Sequence, residues 1–312
     1  MSSNRKKILW LASWYPNKYD PFDGDFIQRH ARAAAMNHDI HVIFVKESEA
    51  DRTDEAEWTI TGSLTEQVIY FKKKKGPLAR LQKQFTWRAL FWEAIETYIT
   101  RNGLPDLVHV HVPWKSGTMA MAVKKKYGIN YVITEHWGIY NNVLDNTYNN
   151  KPVPTRFLLK QIFKNASQLI TPSTYLGLAI NKMVTPIDFT VIPNVVDTSL
   201  FVPEKEKYST FTFIHVSNMV PLKNVTGILR AFNKALELCG ENIQLILVGN
   251  RNNDFTFLAE QLGLLNKYVF FKGEVAYSEV GREMQLSHCF ILNSYMENSP
   301  CVIGEALCCG LP

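Results

Sequence analysis

Short apolar segments alternate with segments of helical periodicity along the second half of this 312-residue chain. Largely apolar runs, which predict buried strands, occupy residues 211–216, 243–248, 268–271 and 290–293. Between them, apolar residues recur at helical spacing at 225–238, 255–264 and 280–287. Strands that are apolar throughout are buried on both faces, so this alternation predicts a parallel sheet covered by helices on both sides.

The first half shows the same alternation less regularly, with predicted strands at 7–12, 40–46, 107–112 and 129–134 and predicted helices at 26–36 and 117–126. The charged stretch 203–207 interrupts the pattern between the halves. We therefore predict an α/β protein with two Rossmann-like, doubly wound parallel-sheet domains facing each other across a cleft. The predicted parts are an N-terminal domain at 1–200, a linker at 201–210 and a C-terminal domain at 211–312.

The bulk composition is that of a globular protein, with 46% hydrophobic and 20% charged residues, which excludes disordered and low-complexity classes. The five cysteines lie within apolar runs and not at disulfide or zinc spacing, which predicts buried thiols in a reducing compartment. No window approaches the ~20 apolar residues of a membrane-spanning helix, and the apolar run at 8–12 is too short for a signal peptide. We therefore expect a soluble cytoplasmic protein.

The most informative segment is the polar loop and apolar helix at 294–312. Ser299 is a good N-cap residue and Pro300 suits the first helical position, so we predict that a helix begins here. Backbone amides at the start of such a helix form an anion site suited to a diphosphate; here they would be the N–H groups of Cys301, Val302 and Ile303.

Two glutamates flank this helix start. Glu305 lies about one turn inside the helix, where a carboxylate can accept hydrogen bonds from the vicinal hydroxyls of a ribose. Glu297 lies in the preceding loop, where a sugar beyond the phosphates would lie. The alternative interpretation is a solvated loop residue at 297 and a helix-surface charge at 305.

Glu297 and Glu305 are separated by seven residues and followed by Gly310-Leu311-Pro312. This pattern resembles the E-x7-E signature of glycosyltransferase family 4. Five other stretches resemble the family in the same order, at 21–26, 169–173, 191–203, 220–224 and 247–249. The resemblance covers nearly the whole chain and is strongest over 190–312. It implies the GT-B fold and retaining transfer from a nucleotide-sugar.

Carried over residue by residue, the resemblance implies a catalytic group of Glu297, His136 and Lys223. Lys223 would neutralise the leaving diphosphate, His136 would lie near the scissile bond, and Glu297 would face the donor sugar. The alternative for His136 is a histidine that caps a strand edge. In related enzymes the leaving diphosphate is thought to help deprotonate the acceptor hydroxyl, so no protein base is assigned.

The implied donor-binding set is larger and places the ribose on Glu305. Gly24 would let the backbone approach the phosphates closely. The remaining members are Asn218, Lys223, Glu297, Ser299, Pro300, Cys301 and Val302. At Asn218 the chain departs from the family, which usually carries an arginine there. A permanently charged guanidinium group is therefore replaced by a neutral amide.

We expect no cofactor and no metal. Asp23-Gly24-Asp25 spells D-x-D, a metal motif in another class of glycosyltransferase, but here it precedes a helix in a different architecture. His109 and His111 share one face of a strand without a third ligand at metal spacing, which favours a structural role.

A basic segment with interleaved aromatics suits an anionic membrane surface or an acceptor on a lipid diphosphate. Its members are Lys72, Lys73, Lys74, Lys75, Arg80, Lys83 and Arg88. The alternative is a solvated lysine run followed by a core-packed helix. No nucleic-acid recognition motif accompanies the charge.

Together these features predict a hexosyl- or N-acetylhexosaminyltransferase. It would move a sugar from a nucleotide-diphosphate donor to a glycan or lipid-linked acceptor in cell-surface polysaccharide biosynthesis, at the inner membrane face. Two alternatives stay open: a nucleotide-sugar epimerase of the same fold, and a non-catalytic protein that binds sugar nucleotides or glycolipids.

The position of Gly310-Leu311-Pro312 at the end of the chain leads to a further expectation. In the resembled family this motif is followed by another strand and further helices, which complete the second domain. We therefore expect a second domain that is incomplete through C-terminal truncation, with weak stability and low activity of this chain by itself.

Overall fold

A computed structural model describes residues 5–48, 55–141, 143, 147–240, 242–250 and 253–312. The chain divides into two compact units, Met1–Asn194 and Val195–Pro312. Residues 195–200, which the sequence prediction assigned to the first domain, therefore belong to the second unit. Phe201, the first residue of the predicted linker, is 1% exposed within the core of the second unit. This buried anchor explains why the boundary lies earlier than predicted.

The first unit contains an eight-stranded sheet in the order β3-β4-β2-β1-β5-β6-β7-β8. Its strands are β1 Lys7–Ala12, β2 Asp39–Glu47, β3 Glu55–Thr61, β4 Leu64–Phe71, β5 Leu107–His111, β6 Tyr131–Thr134, β7 Gln168–Thr171 and β8 Phe189–Val191. All neighbouring pairs are parallel except β3 and β4, which form an antiparallel edge. The helices are α1 Asp25–Ala35, α2 Ala79–Asn102, α3 Ser116–Tyr127, α4 Val153–Asn165 and α5 Thr174–Met183, with short 3-10 helices at Gly138–Tyr140 and Tyr148–Asn150.

Successive side chains of β1 enter two different cores, one on each face of this sheet. Leu9 and Leu11 pack into the cluster that includes residues from α2 to α5, and Trp10 and Ala12 pack into the cluster that includes Ile27 of α1. Because the side chains of a strand alternate between faces, a strand that is apolar throughout must be covered twice. The doubly wound arrangement predicted from the sequence is therefore present in this unit.

The second unit contains a parallel four-stranded sheet in the order β11-β10-β9-β12. Its strands are β9 Phe211–Val216, β10 Ile243–Val248, β11 Val269–Gly273 and β12 Cys289–Phe290, and its helices are α6 Val225–Cys239, α7 Asn253–Gln261, α8 Tyr277–Leu286 and α9 Cys301–Cys308. Along β10, Leu245 and Leu247 pack on one face and Ile246 and Val248 on the other. A short 3-10 helix, Pro221–Lys223, lies between β9 and α6.

Four cysteines of the second unit carry free thiols. Cys309 is buried, whereas Cys289, Cys301 and Cys308 are partly exposed, so the prediction of buried thiols holds for Cys309 alone among these four. Within the described ranges, no helix has the length and apolar character that a bilayer-spanning segment needs.

Candidate active site

Two predicted catalytic residues of the second unit lie in contact. The Nζ atom of Lys223 is 2.5 Å from Oε1 of Glu297, and both side chains are about one-fifth exposed. Lys223 follows β9 and Glu297 follows β12, which pair as neighbours in the sheet. Parallel neighbours end at the same edge of a sheet, where ligands of open α/β sheets bind. The ion pair therefore lies where the sequence predicted the donor site.

The loops that carry this ion pair are tied together by Tyr295. Its backbone N–H donates to the carbonyl of Leu222 at 2.9 Å, and its hydroxyl donates to Oδ1 of Asn224 at 3.2 Å. Asn224 adopts the left-handed conformation at φ 49° and accepts a hydrogen bond from the N–H of Gly227, which caps α6. The predicted phosphate loop is thus fixed by its own helix cap and by the neighbouring loop.

A buried histidine, His215, stabilises the start of the same loop through hydrogen bonds. Nδ1 of His215 lies 2.9 Å from the carbonyl oxygen of Ile291, which can only accept, so this nitrogen carries the proton. Nε2 then accepts from the hydroxyl of Ser217 at 2.8 Å, and the Ser217 oxygen accepts from the N–H of Met219 at 3.0 Å. Burial lowers the pKa of His215, and the charge of Lys223 adds to this effect. The neutral imidazole therefore fixes the first turn of the loop.

A glycine allows the loop after β10 to approach this turn. Gly249 has a φ of 134°, and a Cβ atom built on it would overlap the carbonyl oxygen of Ser217. Only a residue without a side chain fits at this position. The strand-end glycine that the sequence matched to the family therefore has a packing reason in this structure.

The helix after the loop begins one residue later than predicted. α9 starts at Cys301, and Pro300 is its N-cap residue with an extended backbone (φ −71°, ψ 121°), so Ser299 lies before the cap. The carbonyl oxygen of Pro300 accepts a hydrogen bond from the N–H of Ile303 at 3.2 Å. The prediction of three open amides is therefore wrong for Ile303; Cys301 and Val302 occupy the first two helical positions.

Glu305 is buried, with 2% exposure, on the second turn of α9. Its Oε1 accepts a hydrogen bond from the hydroxyl of Tyr277 at 2.8 Å. The alternative interpretation of Glu305 as a helix-surface charge is therefore wrong. Tyr277 begins α8, and sequence reasoning missed it because the two residues are far apart in the chain. Asn218, the residue that departs from the family, is exposed in the loop after β9.

In the first unit, Gly24 packs against Trp14 in the loop that follows β1. Gly24 has a φ of 66°, and a Cβ atom added to it would lie 2.7 Å from the carbonyl carbon of Trp14. The glycine therefore permits a close approach of two backbone segments, and it also occupies the N-cap position of α1. Its predicted approach to phosphates stays a prediction.

His136 follows β6 and lies among other aromatic rings. Its ring centroid is 4.7 Å from that of Phe26, 5.8 Å from that of His30 and 5.9 Å from that of His111. Burial is the main cause that lowers the pKa of His136 well below its usual value. The charges of the neighbouring His30 and His109 lower it further. The imidazole is therefore neutral at physiological pH.

A buried carboxylate, Glu135, holds the loop of His136, and sequence reasoning missed this role. Oε1 accepts from the N–H groups of His136 at 2.8 Å and Trp137 at 2.9 Å, and Oε2 accepts from the hydroxyl of Tyr140 at 2.7 Å. Burial raises the pKa of Glu135 to about 7 against the effect of these hydrogen bonds. The signal in the sequence was an acidic residue directly at the carboxyl end of a buried strand.

Both carboxylates of the D-x-D sequence are engaged in ion pairs. Asp23 lies 3.0 Å from Nζ of Lys46, and Asp25 lies 2.6 Å from Nη1 of Arg29 one helical turn away. Among the residues whose placement is described, no three or more His, Cys, Asp or Glu side chains are arranged to hold a metal ion. The geometry gives this motif a structural role in the first loop.

The basic segment divides into three parts. Residues 72–75 lie between β4 and α2, and Arg80 and Arg88 are exposed on α2. Lys83 instead pairs with Glu47 at the end of β2, and both residues line a cavity of the first unit. The second half of α2 packs into the core through Phe91, Ala94, Ile95 and Tyr98, whereas its first turns expose Leu78, Leu81 and Phe85.

Two sequence profiles cover this chain almost end to end. Glycosyltransferase Family 4 matches residues 26–200, more than half of the chain, and Glycosyl transferases group 1 matches residues 198–312. The chain belongs to glycosyltransferase family 4. It is accordingly a glycosyltransferase with the GT-B fold, and the family assigned from the E-x7-E pattern is confirmed.

Relatives of this glycosyltransferase span several activities. A Bacillus subtilis (strain 168) protein named for teichuronic acid biosynthesis, TuaC, is 23% identical over 98% of this chain and 79% of its own length. Sucrose-phosphate synthase from Thermosynechococcus elongatus superposes with a TM-score of 0.73 at 18% identity, over 98% of this chain and 80% of that one. The catalytic domain of starch synthase IV from Arabidopsis thaliana, solved with ADP and acarbose, superposes with a TM-score of 0.65 at 15% identity. The superposition covers 99% of this chain and 82% of that one. At these identities the structures share the fold.

Proposed function

We propose that this family 4 glycosyltransferase moves a hexosyl or N-acetylhexosaminyl group from a nucleotide-diphosphate sugar with retention of configuration. The observations that carry the proposal are the Lys223–Glu297 ion pair and the buried carboxylate of Glu305 on the helix that follows the loop of Glu297. A cation and two carboxylates at the carboxyl edge of a parallel sheet match the three parts of such a donor: diphosphate, sugar and ribose.

In this proposal Lys223 exchanges one anion for another. The diphosphate of the donor displaces the carboxylate of Glu297 from the ammonium group, and Glu297 then accepts a hydrogen bond from a sugar hydroxyl. As the bond between the anomeric carbon and the diphosphate oxygen breaks, negative charge grows on that oxygen and the interaction with Lys223 strengthens. The acceptor oxygen bonds to the same face of the sugar, and its proton passes to the diphosphate.

Glu305 is proposed to hold the ribose hydroxyls, with Tyr277 as its positioning residue. A buried carboxylate gains more from a hydrogen bond than an exposed one, because it has lost its hydration. The hydroxyl of Tyr277 at 2.8 Å fixes the orientation of the carboxylate, so less freedom is lost when a ribose binds. No cofactor and no metal is assigned to the reaction.

We place the acceptor among glycans or lipid-linked glycans of cell-surface polysaccharide biosynthesis, at the cytoplasmic membrane face. The relation to TuaC supports the polysaccharide class. The first turns of α2 support the membrane surface, because exposed Leu78, Leu81 and Phe85 lie at helical spacing beside exposed Arg80 and Arg88. Such a basic amphipathic segment adsorbs to anionic lipid.

Calorimetric titration of the full chain with UDP, GDP and ADP tests the donor site. The proposal expects one of them to bind, and expects Lys223→Ala and Glu305→Ala each to weaken that nucleotide by at least tenfold. Lys234→Ala and Glu260→Ala, both exposed in the same unit, are the matched controls and leave binding unchanged. Equal dissociation constants for the site variants and the controls reject the assignment.

A further inference from the structure

The first unit contains a cavity of about 780 Å³ at the carboxyl edge of its sheet. It is bounded by residues at or after the ends of β4, β2 and β1, by Lys115 in the loop between β5 and α3, and by the first half of α2. The chain crosses from one side of β1 to the other between β4 and β5, so the strand order reverses at β1 and β5. Such a reversal opens a crevice that open α/β sheets use for ligands. The volume suits a small polar molecule of one or two sugar units.

Lysine is the only basic residue type in the described lining of this cavity, which contains Lys46, Lys73, Lys83 and Lys115 together with Asp20, Asp23 and Glu47. Lys46 pairs with Asp23 and Lys83 pairs with Glu47, so these charges cancel in pairs. Lys73 and Lys115 make no ion pair and no hydrogen bond through Nζ with any described residue. With Asp20 as the third acid, the four lysines and three acids of the described lining leave a net charge of +1.

The surroundings of Lys115 favour binding of an anion. Its Nζ lies 5.9 Å from the ring centroid of Trp87, a buried wall of the cavity. Although the residue as a whole is exposed, partial loss of solvent around its ammonium group lowers its pKa, and the charge of Lys83 adds to this effect. An anion bound near Lys115 would offset the repulsion between Lys115 and Lys83 and would replace the hydration that the ammonium group of Lys115 has lost.

We propose that this cavity binds a phosphate group carried by the acceptor, held by Lys73 and Lys115. Compact ammonium groups act as point charges toward a phosphate, whereas planar recognition of a carboxylate is typical of arginine, which the described lining lacks. Neither ammonium group is engaged in an ion pair with a described residue, so both can contact a phosphate, and the wall of Trp14 offers an apolar face to the adjoining sugar or lipid. This inference rests on the proposed glycosyl transfer, for which it names the chemistry of the acceptor.

Calorimetric titration of the full chain with two probes tests this site. Glucose 6-phosphate represents a sugar phosphate, and dodecyl phosphate below its micellar concentration represents a lipid phosphate. The inference expects at least one probe to bind, and the probe that binds identifies the source of the phosphate. Lys73→Ala/Lys115→Ala weakens that binding by at least tenfold, because two charge-assisted contacts are lost.

The matched control is Lys125→Ala/Lys182→Ala, which removes the same charge from exposed positions of the same unit that do not line the cavity. It leaves the affinity unchanged, and so does Lys223→Ala. Three results overturn the inference: no binding of either probe, equal affinity for methyl glucuronide, or a loss of affinity in Lys223→Ala but not in the double variant. Titration with nucleoside diphosphates decides the donor site separately, so failure of one site is distinguishable from failure of the other.

Discussion

The Nζ atom of Lys223 lies 2.5 Å from Oε1 of Glu297, although the two residues are 74 positions apart in the chain. Their contact depends on the pairing of β9 with β12, which brings the two following loops to one edge of the sheet. Each residue was predicted to touch the donor, and each is the other's partner in this structure. The donor must therefore compete with an internal ion pair for both groups.

The first prediction concerns this ion pair. Lys223→Ala leaves a partly buried carboxylate without its cation, so we expect it to lower the free energy of unfolding by about 1–2 kcal/mol. Glu297→Gln removes the competitor for Lys223, so we expect nucleoside diphosphate affinity to be retained or raised while transfer falls. Urea unfolding of both single variants and the double variant measures the coupling; strictly additive losses contradict a direct interaction.

The second prediction concerns the positioning of Glu305. Tyr277→Phe removes a hydrogen bond to a buried carboxylate, so we expect a loss of about 1–2 kcal/mol in stability and weaker nucleoside diphosphate binding. Tyr268→Phe is the matched control, because the buried hydroxyl of Tyr268 has no hydrogen-bond partner among the described residues. Thermal unfolding should separate the two substitutions. Equal stability of the two variants would show that the hydroxyl of Tyr277 does not stabilise the carboxylate of Glu305.

The third prediction concerns the close approach at Gly249. A Cβ atom there would overlap the Ser217 carbonyl oxygen, so Gly249→Ala should cost about 3 kcal/mol or more. Gly263→Ala tests the backbone conformation without the overlap, because φ is 68° and no atom lies within 4 Å of the added Cβ. We expect about 1 kcal/mol for that variant. Similar losses in the two variants would show that the overlap is relieved at little cost.

The strands show how much of the fold could be predicted from the sequence. β1, β9 and β10 have the bounds that were predicted, because each is a short, largely apolar segment. β3 and β4 were missed. Every residue of β3 is exposed, so the alternation of Ala56, Trp58 and Ile60 with polar residues marks no buried face, and neither β3 nor β4 was predicted as a strand.

Some residues of the candidate site could be predicted from the sequence and others could not. Glu297 and Glu305 could be predicted because their spacing along a loop and helix is visible in the sequence. Tyr277, His215 and Glu135 could not be assigned roles, because their partners are reached only through the fold. His215, for example, bonds the carbonyl of Ile291, 76 residues away. Local spacing is readable from one sequence, whereas contacts set by strand order are not.

The fourth prediction concerns acid stability. Burial lowers the pKa of five histidines in the first unit below 6.5, namely His30, His41, His109, His111 and His136. Below pH 6.5 the unfolded chain takes up protons that the folded chain does not. The free energy of unfolding therefore falls by up to about 1.4 kcal/mol per pH unit for each histidine.

Glu135 acts in the opposite direction. Its raised pKa, about 7, means that the folded chain holds a proton there which the unfolded chain loses above pH 4.5. One carboxyl does not offset five histidines, so we expect urea midpoints to fall between pH 7 and pH 5. His111→Phe should reduce this slope by up to one proton, because both ring nitrogens of His111 are buried without a partner among the described residues. A midpoint that is constant or rises toward pH 5 contradicts the account.

The fifth prediction concerns the membrane surface. Reversing the charge of residues 72–75 to glutamate should abolish flotation of the protein with vesicles of anionic phospholipid, and high salt should weaken flotation of the unaltered chain. Leu81→Ser/Phe85→Ser should reduce it through the apolar contact. The charge-matched control reverses four exposed lysines elsewhere: Lys125, Lys182, Lys205 and Lys234. Equal loss in the control would indicate nonspecific attraction.

Retaining transfer at the donor site can be tested without knowledge of the acceptor. Slow hydrolysis of the bound donor transfers the sugar to water, and proton NMR observes the anomer that is released before it equilibrates. With the α-linked nucleotide-sugar that binds, we predict α-sugar as the first product, and no release by Lys223→Ala or Glu305→Ala. First release of the β-anomer, or unchanged release by these two variants, would contradict retaining transfer at this site.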